Sequence, residues 1–400
     1  MRIFIYGGYT ERNLGVPLLL HGAQTLLEKL YGEDVETVYY QMTPVEECAV
    51  RDIKTKVRQI PATFQSPAHL IRAAVLEKLG MGAKVEEEQA FLKELRSADV
   101  VMNIYGICFC SKLNPRKNGA LKSKKVAIGS FYANAVAKWF FAKKSVKAPA
   151  SFGPINTADT IRQAKFAARH IFDNIGTREV ESYEAIRPYV REGHLIEACP
   201  DIANLAASLP PVNREKTIGI SISHQISRQW AAEDAYLDCI EQVIKHILTN
   251  LGHRVLLIPN ENTKGNSYTD IHVARDIMAR FPGEERVEVL SIEKMSALEI
   301  KREIAACDIL LSSRYHSCVA ALSSGVPVLV LGWHYKYTEL LRWYGQDEWY
   351  LTNENCTAQS LCEKLDALYR VRNKEKEMIQ ERKAKVEEAV IRAGEALLKG

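Results

Sequence analysis

Short apolar runs alternate with helix-period segments along most of the chain. RIFIY, at residues 2–6, reads as a strand covered on both faces, and Gly7-Gly8 turns the chain after it. Residues 17–31 space their apolar side chains three and four apart, which predicts a helix, and 35–41 predicts a second strand. Helical periodicity returns over 64–79 and 85–96. Buried strands are predicted at 99–105 and 125–129, and helices over 162–175 and 182–190. This alternation predicts an α/β fold with a parallel sheet. Pro210-Pro211-Val212-Asn213 breaks it, because Pro-Pro neither continues a helix nor donates to a ladder. The alternation then restarts: strands at 217–223, 254–259, 287–290, 308–311 and 326–331, with helices over 231–251, 270–280 and 297–306 between the earlier ones. A helix over 357–369, capped by Thr357, precedes a charged amphipathic helix over 375–399, expected to pack on one domain or cross back to the other. Two domains, 1–211 and 212–371, with a terminal helix over 372–400, are the natural division of 400 residues. No internal repeat or low-complexity tract is present.

Composition narrows the classes. Hydrophobic residues make up 47% and charged residues 26%, a globular balance. A net charge of +4 gives no call for nucleic acid, and no RNA- or DNA-binding motif accompanies it. Nine cysteines without metal spacing point to a reducing cytoplasm, and Cys108-x-Cys110 reads as buried thiols near a strand end. The chain opens directly on a strand, so no signal peptide is expected. No apolar run reaches the roughly 18 residues that a spanning helix needs.

The chemistry concentrates at 312–336, SSRYHSCVAALSSGVPVLVLGWHYK. Ser312 and Ser313 are good helix caps, small and apolar residues run from Cys318 to Leu322, Gly325 stops the helix, and Pro327 opens the next segment. Arg314 and His316 therefore fall near a helix N-terminus, where free N–H groups and the helix dipole favour an anion. Lys336 follows the next strand. Each has a bland alternative: a cap or core histidine, a salt-bridged arginine, a solvated lysine. Gly7, Gly8, Asn13 and Gly15 form a turn after the first strand that could cradle a phosphate on its N–H groups, or simply join strand to helix. Residues 112–147 hold many lysines and arginines and no acid, with Trp139, Phe140 and Phe141 inside KWFFAKK. They read either as a docking surface for anionic lipid headgroups or a lipid-diphosphate-linked glycan, or as an ordinary basic surface with its aromatics in the core.

The order Ser312, Arg314, His316, Ala320, Gly325, Pro327, Tyr335, Lys336 resembles the signature of the polysaccharide pyruvyl transferases. GGYTERNLG (7–15), FGPI (152–155), TREVESYE (177–184) and CPDIANL (199–205) are similar to weaker marks of that family in the same order. Val16 and Glu179 stand where the family often has Asp, and 60–95 has no clear counterpart.

The resemblance implies two Rossmann-like domains with parallel sheets facing across a cleft (GT-B-like). It also implies a cytoplasmic transferase with phosphoenolpyruvate as co-substrate and no cofactor or metal. The acceptor would be a sugar or lipid-linked oligosaccharide, with peripheral contact at the inner membrane surface as an option. His316 is then the general acid/base, Arg314 binds a donor anion, and Lys336 meets the phosphate or carboxylate. Ser312, His334, Tyr335, Gly8, Asn13 and Gly15 would line the substrate sites, and Arg162 would reach the donor from the other domain. Glu293-Lys294 is a further candidate for contact with a nucleotide or acceptor sugar.

Two rival readings stand beside this one. A GT-B glycosyltransferase using a nucleotide sugar often places an acid on the donor ribose near the end of the second domain, where 332–348 is basic and aromatic up to Glu339. A non-enzymatic carbohydrate-binding protein would have no need for the concentrated Arg314, His316 and Lys336 set.

Overall fold

The computed structural model describes residues 1–10, 14–82, 85–111, 120–230, 233–261, 268–332, 334–354 and 356–399, with the backbone alone at 120–129 and 233–234. Its strands form two sheets. The first contains β1 (Arg2–Tyr6), β2 (Glu36–Gln41), β3 (Lys56–Gln59), β4 (Val100–Asn103), β5 (Ile107–Cys108), β6 (Lys144–Phe152), β7 (Asn174–Thr177) and β8 (Leu195–Ile196). They lie in the order β3-β2-β1-β4-β6-β7-β8, with β5 on the end of β6. The second contains β9 (Thr217–Ser221), β10 (Arg254–Leu257), β11 (Val287–Val289), β12 (Ile309–Ser312), β13 (Val328–Gly332) and β14 (Tyr350–Thr352), in the order β11-β10-β9-β12-β13-β14. Every pairing in both sheets is parallel. Such sheets need helices on both faces, and the intervening helices supply them. These are two Rossmann-like domains in a GT-B-like arrangement.

Several elements differ from the sequence expectation. Residues 125–129 are not a strand but part of the Ala120–Phe141 helix. A five-residue apolar run fits either period, and after a kink at Phe131 the buried residues Tyr132, Ala133, Val136 and Ala137 fall at helical spacing. The central strand of that region is β6, KSVKAPASF, whose two lysines and proline conceal it. Lys147 is wholly buried and donates to the carbonyls of Asn103 (3.3 Å) and Ala148 (2.9 Å). Pro149 cannot donate to the ladder, and the register with β7 shifts between Lys147 and Ala150.

The C-terminal segment is one helix, Ala358–Lys399, rather than two. It starts on the second domain, with Ser360 N–H donating to Thr357 Oγ1 (3.1 Å). It ends against the first, where Asn174 and Lys144 donate to the carbonyls of Leu397 (2.8 Å) and Leu398 (2.7 Å). Those two side chains satisfy carbonyls that a helix end leaves open. One apolar cluster joins the two domains, running from Ile3 and Leu18 through Ile202 and Leu205 to Leu310 and Val319.

Candidate active site at the interdomain cleft

In open α/β sheets ligands bind beyond the carboxyl ends of strands, where the strand order reverses. Here the reversals lie at β1/β4 and at β9/β12, and both face one pocket of 380 Å³. The first domain contributes Gly8 and Tyr9 after β1 and residues 104–107 after β4. The second contributes Ser223, Asn260, residues 313–316, Lys336 and Tyr337. A larger cavity of 790 Å³ opens at the opposite edge of the first sheet, among Arg2, Glu36, Lys54, Arg58 and Glu94. Its mixed charges sit at the strand starts, so the smaller pocket is the better site. Two hydrogen bonds tie the domains together beside it: Leu14 N–H to the Asn260 carbonyl (3.3 Å) and Tyr335 hydroxyl to the Phe152 carbonyl (2.6 Å).

Arg314, His316 and Lys336 all line this pocket. Arg314 is the cap of the Tyr315–Ser323 helix. Its N–H donates to Ser312 Oγ (3.1 Å), which returns a bond to the Arg314 carbonyl (3.0 Å). The Arg314 Nη2 meets Asp270, Glu261 Oε2 (3.1 Å) and His224 Nδ1 (3.0 Å). Burial opposes its charge, but Asp270 and Glu261 hold its pKa above the ordinary value. Ligand atoms of His224, Glu261 and Asp270 lie within 4.8 Å of one another. The guanidinium lies at the focus of that cluster.

His316 stands two residues further on, in the first turn of the helix, with Nε2 buried and 3.8 Å from Asp201 Oδ2. Burial pulls its pKa down to about 4, and Arg178 and Lys336 add to this against the pull of Asp201. Lys336 opens the Lys336–Trp343 helix and is buried, its Nζ 5.4 Å from the Tyr315 ring centre and 5.3 Å from that of Tyr337. Burial, with Arg178 and Arg314 nearby, lowers its pKa to about 7.

A buried ion group missed at the sequence level supports these residues. Arg178 pairs with Asp201 and donates to the Gly106 carbonyl (2.8 Å) and Ser151 Oγ (2.7 Å), with its guanidinium 4.7 Å from the Tyr315 ring centre. Burial alone would raise the Asp201 carboxyl, but Arg178, His316 and the Ala203 N–H hold it below its usual range. Asp201 caps the one-turn Ile202–Leu205 helix, which is wedged against the Gly15–Tyr31 helix at Gly22. A Cβ on Gly22 would stand 1.9 Å from the Ile202 carbonyl oxygen. The segments 177–184 and 199–205 were singled out in the sequence, but without roles for Arg178 or Asp201.

The other sequence candidates fall in several places. Gly8 lines the pocket at φ +91°, and a Cβ there would meet Val16 Cγ2 at 2.5 Å. Gly8→Ala should therefore cost about 1–3 kcal/mol in urea unfolding, and an unchanged midpoint would refute this strain. Gly15 is buried at the start of its helix, away from the pocket lining, and Asn13 lies outside the described residues. Ser312 is turned into the Arg314 backbone. His334 accepts from the Lys336 N–H at Nδ1 (3.3 Å) and packs on Tyr335, ring centres 4.0 Å apart. Arg162 is exposed on the Ala158–His170 helix and does not reach the pocket. Glu293 and Lys294 use their carbonyls instead, accepting from Cys48 (3.6 Å) and Arg51 (2.8 Å) of the first domain.

Within KWFFAKK, Lys138 pairs with Asp173 (2.6 Å) and Trp139 donates to the His170 carbonyl (2.7 Å), while Phe140 and Phe141 pack on the core. Residues 112–119 lie outside the described residues. Among the described residues, no helix is long and apolar enough to cross a membrane.

No curated protein matches the sequence. Several solved structures share the fold. A Listeria monocytogenes structure described as a UDP-N-acetylglucosamine 2-epimerase has a TM-score of 0.62 at 12% identity, covering 95% of this chain and 90% of that one. UDP-GlcNAc 2-epimerase from Neisseria meningitidis, bound to UDP-GlcNAc, gives 0.61 at 12% identity with both chains covered in full. The enzyme of that name from Methanocaldococcus jannaschii gives 0.59 at 11% identity, with 92% of each chain covered. At these identities the likeness speaks for the architecture alone. The sequence itself matches the family description "Polysaccharide pyruvyl transferase" over residues 13–335. That span takes in residues from both walls of the cleft, Arg314 and His316 among them, and ends one residue before Lys336; the chain belongs to the polysaccharide pyruvyl transferase family.

Proposed function

We propose that this protein transfers pyruvate as a ketal from phosphoenolpyruvate to two hydroxyls of a sugar in a cell-surface polysaccharide or its precursor. The observation that carries the reading is the single wall formed by Arg314, His316 and Lys336 at the mouth of both sheets. At 380 Å³ the pocket is at the small end of the range of about 300–1,000 Å³ for ligand sites.

The reaction needs one proton delivered to the methylene carbon and one taken from each of two sugar hydroxyls. Protonation makes C2 electrophilic; the first hydroxyl attacks C2, phosphate leaves with the electron pair of its C–O bond, and the second hydroxyl closes the ring. The released phosphate takes up the remaining proton. His316 was expected to serve as acid and base together. With its pKa near 4 it is neutral at pH 7 and able to accept a hydroxyl proton, as a weaker base than an ordinary histidine. Lys336, near 7, is the group poised to deliver a proton and to face the departing phosphate. Arg314 binds an anionic group of the donor.

The nucleotide-sugar alternative is less well supported. Glu339, the first acid after the motif, is buried and bonded to Arg342 (2.7 Å), outside the pocket lining.

The roles predict a pH profile. Lys336 acts protonated, so kcat/KM should fall about tenfold per pH unit above roughly pH 7. On the acid side His316 must be unprotonated, and the plateau should persist down to about pH 4. A profile that still rises between pH 7 and 9 would reverse the Lys336 assignment. The function is tested by phosphate release from phosphoenolpyruvate against a panel of sugar acceptors, with mass detection of the ketal. No release with any acceptor, lipid-linked ones included, would reject it.

A further inference from the structure

The Ala158–His170 helix presents a face of one charge. Arg162, Lys165 and Arg169 are exposed and spaced three and four apart, so they share that face. None of them forms an ion pair among the described residues. The one acid of the helix, Asp159, is buried. The elements packed most closely on it are the Ala120–Phe141 helix and the Arg187–Tyr189 turn. Asp173 and Glu184, the acids beside them, already face cations of their own, Lys138 (2.6 Å) and Arg187 (3.6 Å). Residues 112–147 contain no acid, so 112–119 and the side chains of 120–129 bring no carboxylate to this face either. Like charges three and four residues apart on a helix repel, and an anionic surface laid against them would relieve the repulsion.

An aromatic ridge runs beside the cations. Trp139 is 39% exposed and meets Phe166 edge-on, with ring centres 6.2 Å apart. Phe166 lies between Lys165 and Arg169 on the helix. The indole N–H of Trp139 is occupied by the His170 carbonyl (2.7 Å), so the surface this side chain leaves to solvent is hydrocarbon. An apolar ring framed by cations suits the boundary between headgroups and acyl chains. A nucleic acid would answer the charge, but no nucleic-acid-binding motif accompanies it. The opposite side of the helix, with Ala164, Ala167 and Ala168, is packed in the core. Docking therefore uses the polar side, with the cations over the headgroups and Trp139 at their margin.

We propose that the face formed by Arg162, Lys165 and Arg169, with Trp139 beside it, docks this protein on a membrane surface rich in anionic lipid headgroups. The docking face lies mainly on the helix that follows the basic run at 112–147, and of that run only Trp139 takes part. It does not depend on the reaction proposed above.

The test is co-sedimentation of the full chain with vesicles of phosphatidylcholine alone and of equal parts phosphatidylcholine and phosphatidylglycerol, with circular dichroism to verify folding. The wild type should bind the anionic vesicles at low salt and leave them in about 1 M salt, where the screening length is roughly 3 Å. Arg162→Gln, Lys165→Gln and Arg169→Gln together should lower the partition constant roughly a hundredfold. A control with Arg370→Gln, Lys374→Gln and Lys385→Gln removes the same charge from exposed positions of the terminal helix and should lose far less. Brominated acyl chains should quench the fluorescence of the wild type more than that of Trp139→Phe. Failure of the wild type to bind the anionic vesicles overturns the proposal, as does equal binding to phosphatidylcholine alone. Equal losses in the two triple variants would reduce the effect to net charge and overturn the assigned face. Equal quenching in the wild type and Trp139→Phe would remove Trp139 from the membrane.

Discussion

Replacing Lys336 with methionine should cut phosphate release from phosphoenolpyruvate by about a thousandfold or more, yet leave a protein more stable than the parent. The two effects share one cause. The Lys336 ammonium is buried against the rings of Tyr315 and Tyr337, with Arg178 and Arg314 in its neighbourhood. The fold therefore penalises its charge, and its pKa falls from 10.5 to about 7. A group whose pKa is lowered on folding costs stability wherever the unfolded chain holds the extra proton. The cost is absent above pH 10.5, grows as pH falls, and is fully present below about pH 7, on the order of 4 kcal/mol. Methionine fills similar space without that cost. The stability gap between variant and parent should thus be wide at pH 7 and shrink as pH rises toward 10. Urea unfolding at several pH values measures the gap, and a phosphate-release assay measures the activity. Near-normal turnover would remove Lys336 from the chemistry. A less stable variant would refute the account of its burial.

The contrast between what the sequence disclosed and what it concealed follows from sequence distance. Arg314 and His316 lie in one strand–helix–strand unit and Lys336 four residues past its second strand, so spacing alone brought them to one sheet edge. Arg178 and Asp201 lie on separate elements, as do His224, Glu261 and Asp270. They meet only when strands far apart in sequence align, and no local pattern records that. The α/β alternation and its restart after Pro211 were legible because buried parallel strands read as apolar runs. β6 was not, because Lys147 points its charge at backbone carbonyls rather than at water, and Pro149 sits where a ladder bond would be. Part of the Ala120–Phe141 helix was read as a strand at 125–129 for the opposite reason: its apolar stretch is too brief to reveal its period. The ionisation of the motif residues was hidden as well. The histidine read as a general acid/base from an ordinary pKa of 6.5 has its pKa pulled down to about 4 by burial, with Arg178 and Lys336 adding to the shift, and on the proposed reading that leaves it the base.

Arg178→Met should destabilise the protein by about 3–5 kcal/mol at neutral pH, the usual cost of removing one partner of a buried ion pair. Arg178 is buried, and its loss strands Asp201 and leaves Glu179 without its neighbouring cation (3.7 Å). Ser151 and Ser182 still donate to Glu179, at 2.7 and 2.5 Å, so Asp201 is the more exposed to the change. In the parent, the lowered Asp201 pKa contributes stability that is present above the ordinary carboxyl value and lost as pH falls through the folded one. In the variant the sign reverses. Burial now dominates and raises the Asp201 carboxyl, so its cost is largest at neutral pH and is relieved as the group protonates. The deficit should therefore narrow as pH falls toward 4, and Asp201→Asn added to Arg178→Met should recover part of it at pH 7. Unfolding in urea at pH 7 and pH 4 distinguishes this from simple loss of packing, which would give the same deficit at both. Because Asp201 also faces His316 at 3.8 Å, the partly rescued double variant should remain poor in turnover: it restores neutrality to the interior without restoring the charge pattern that places the imidazole.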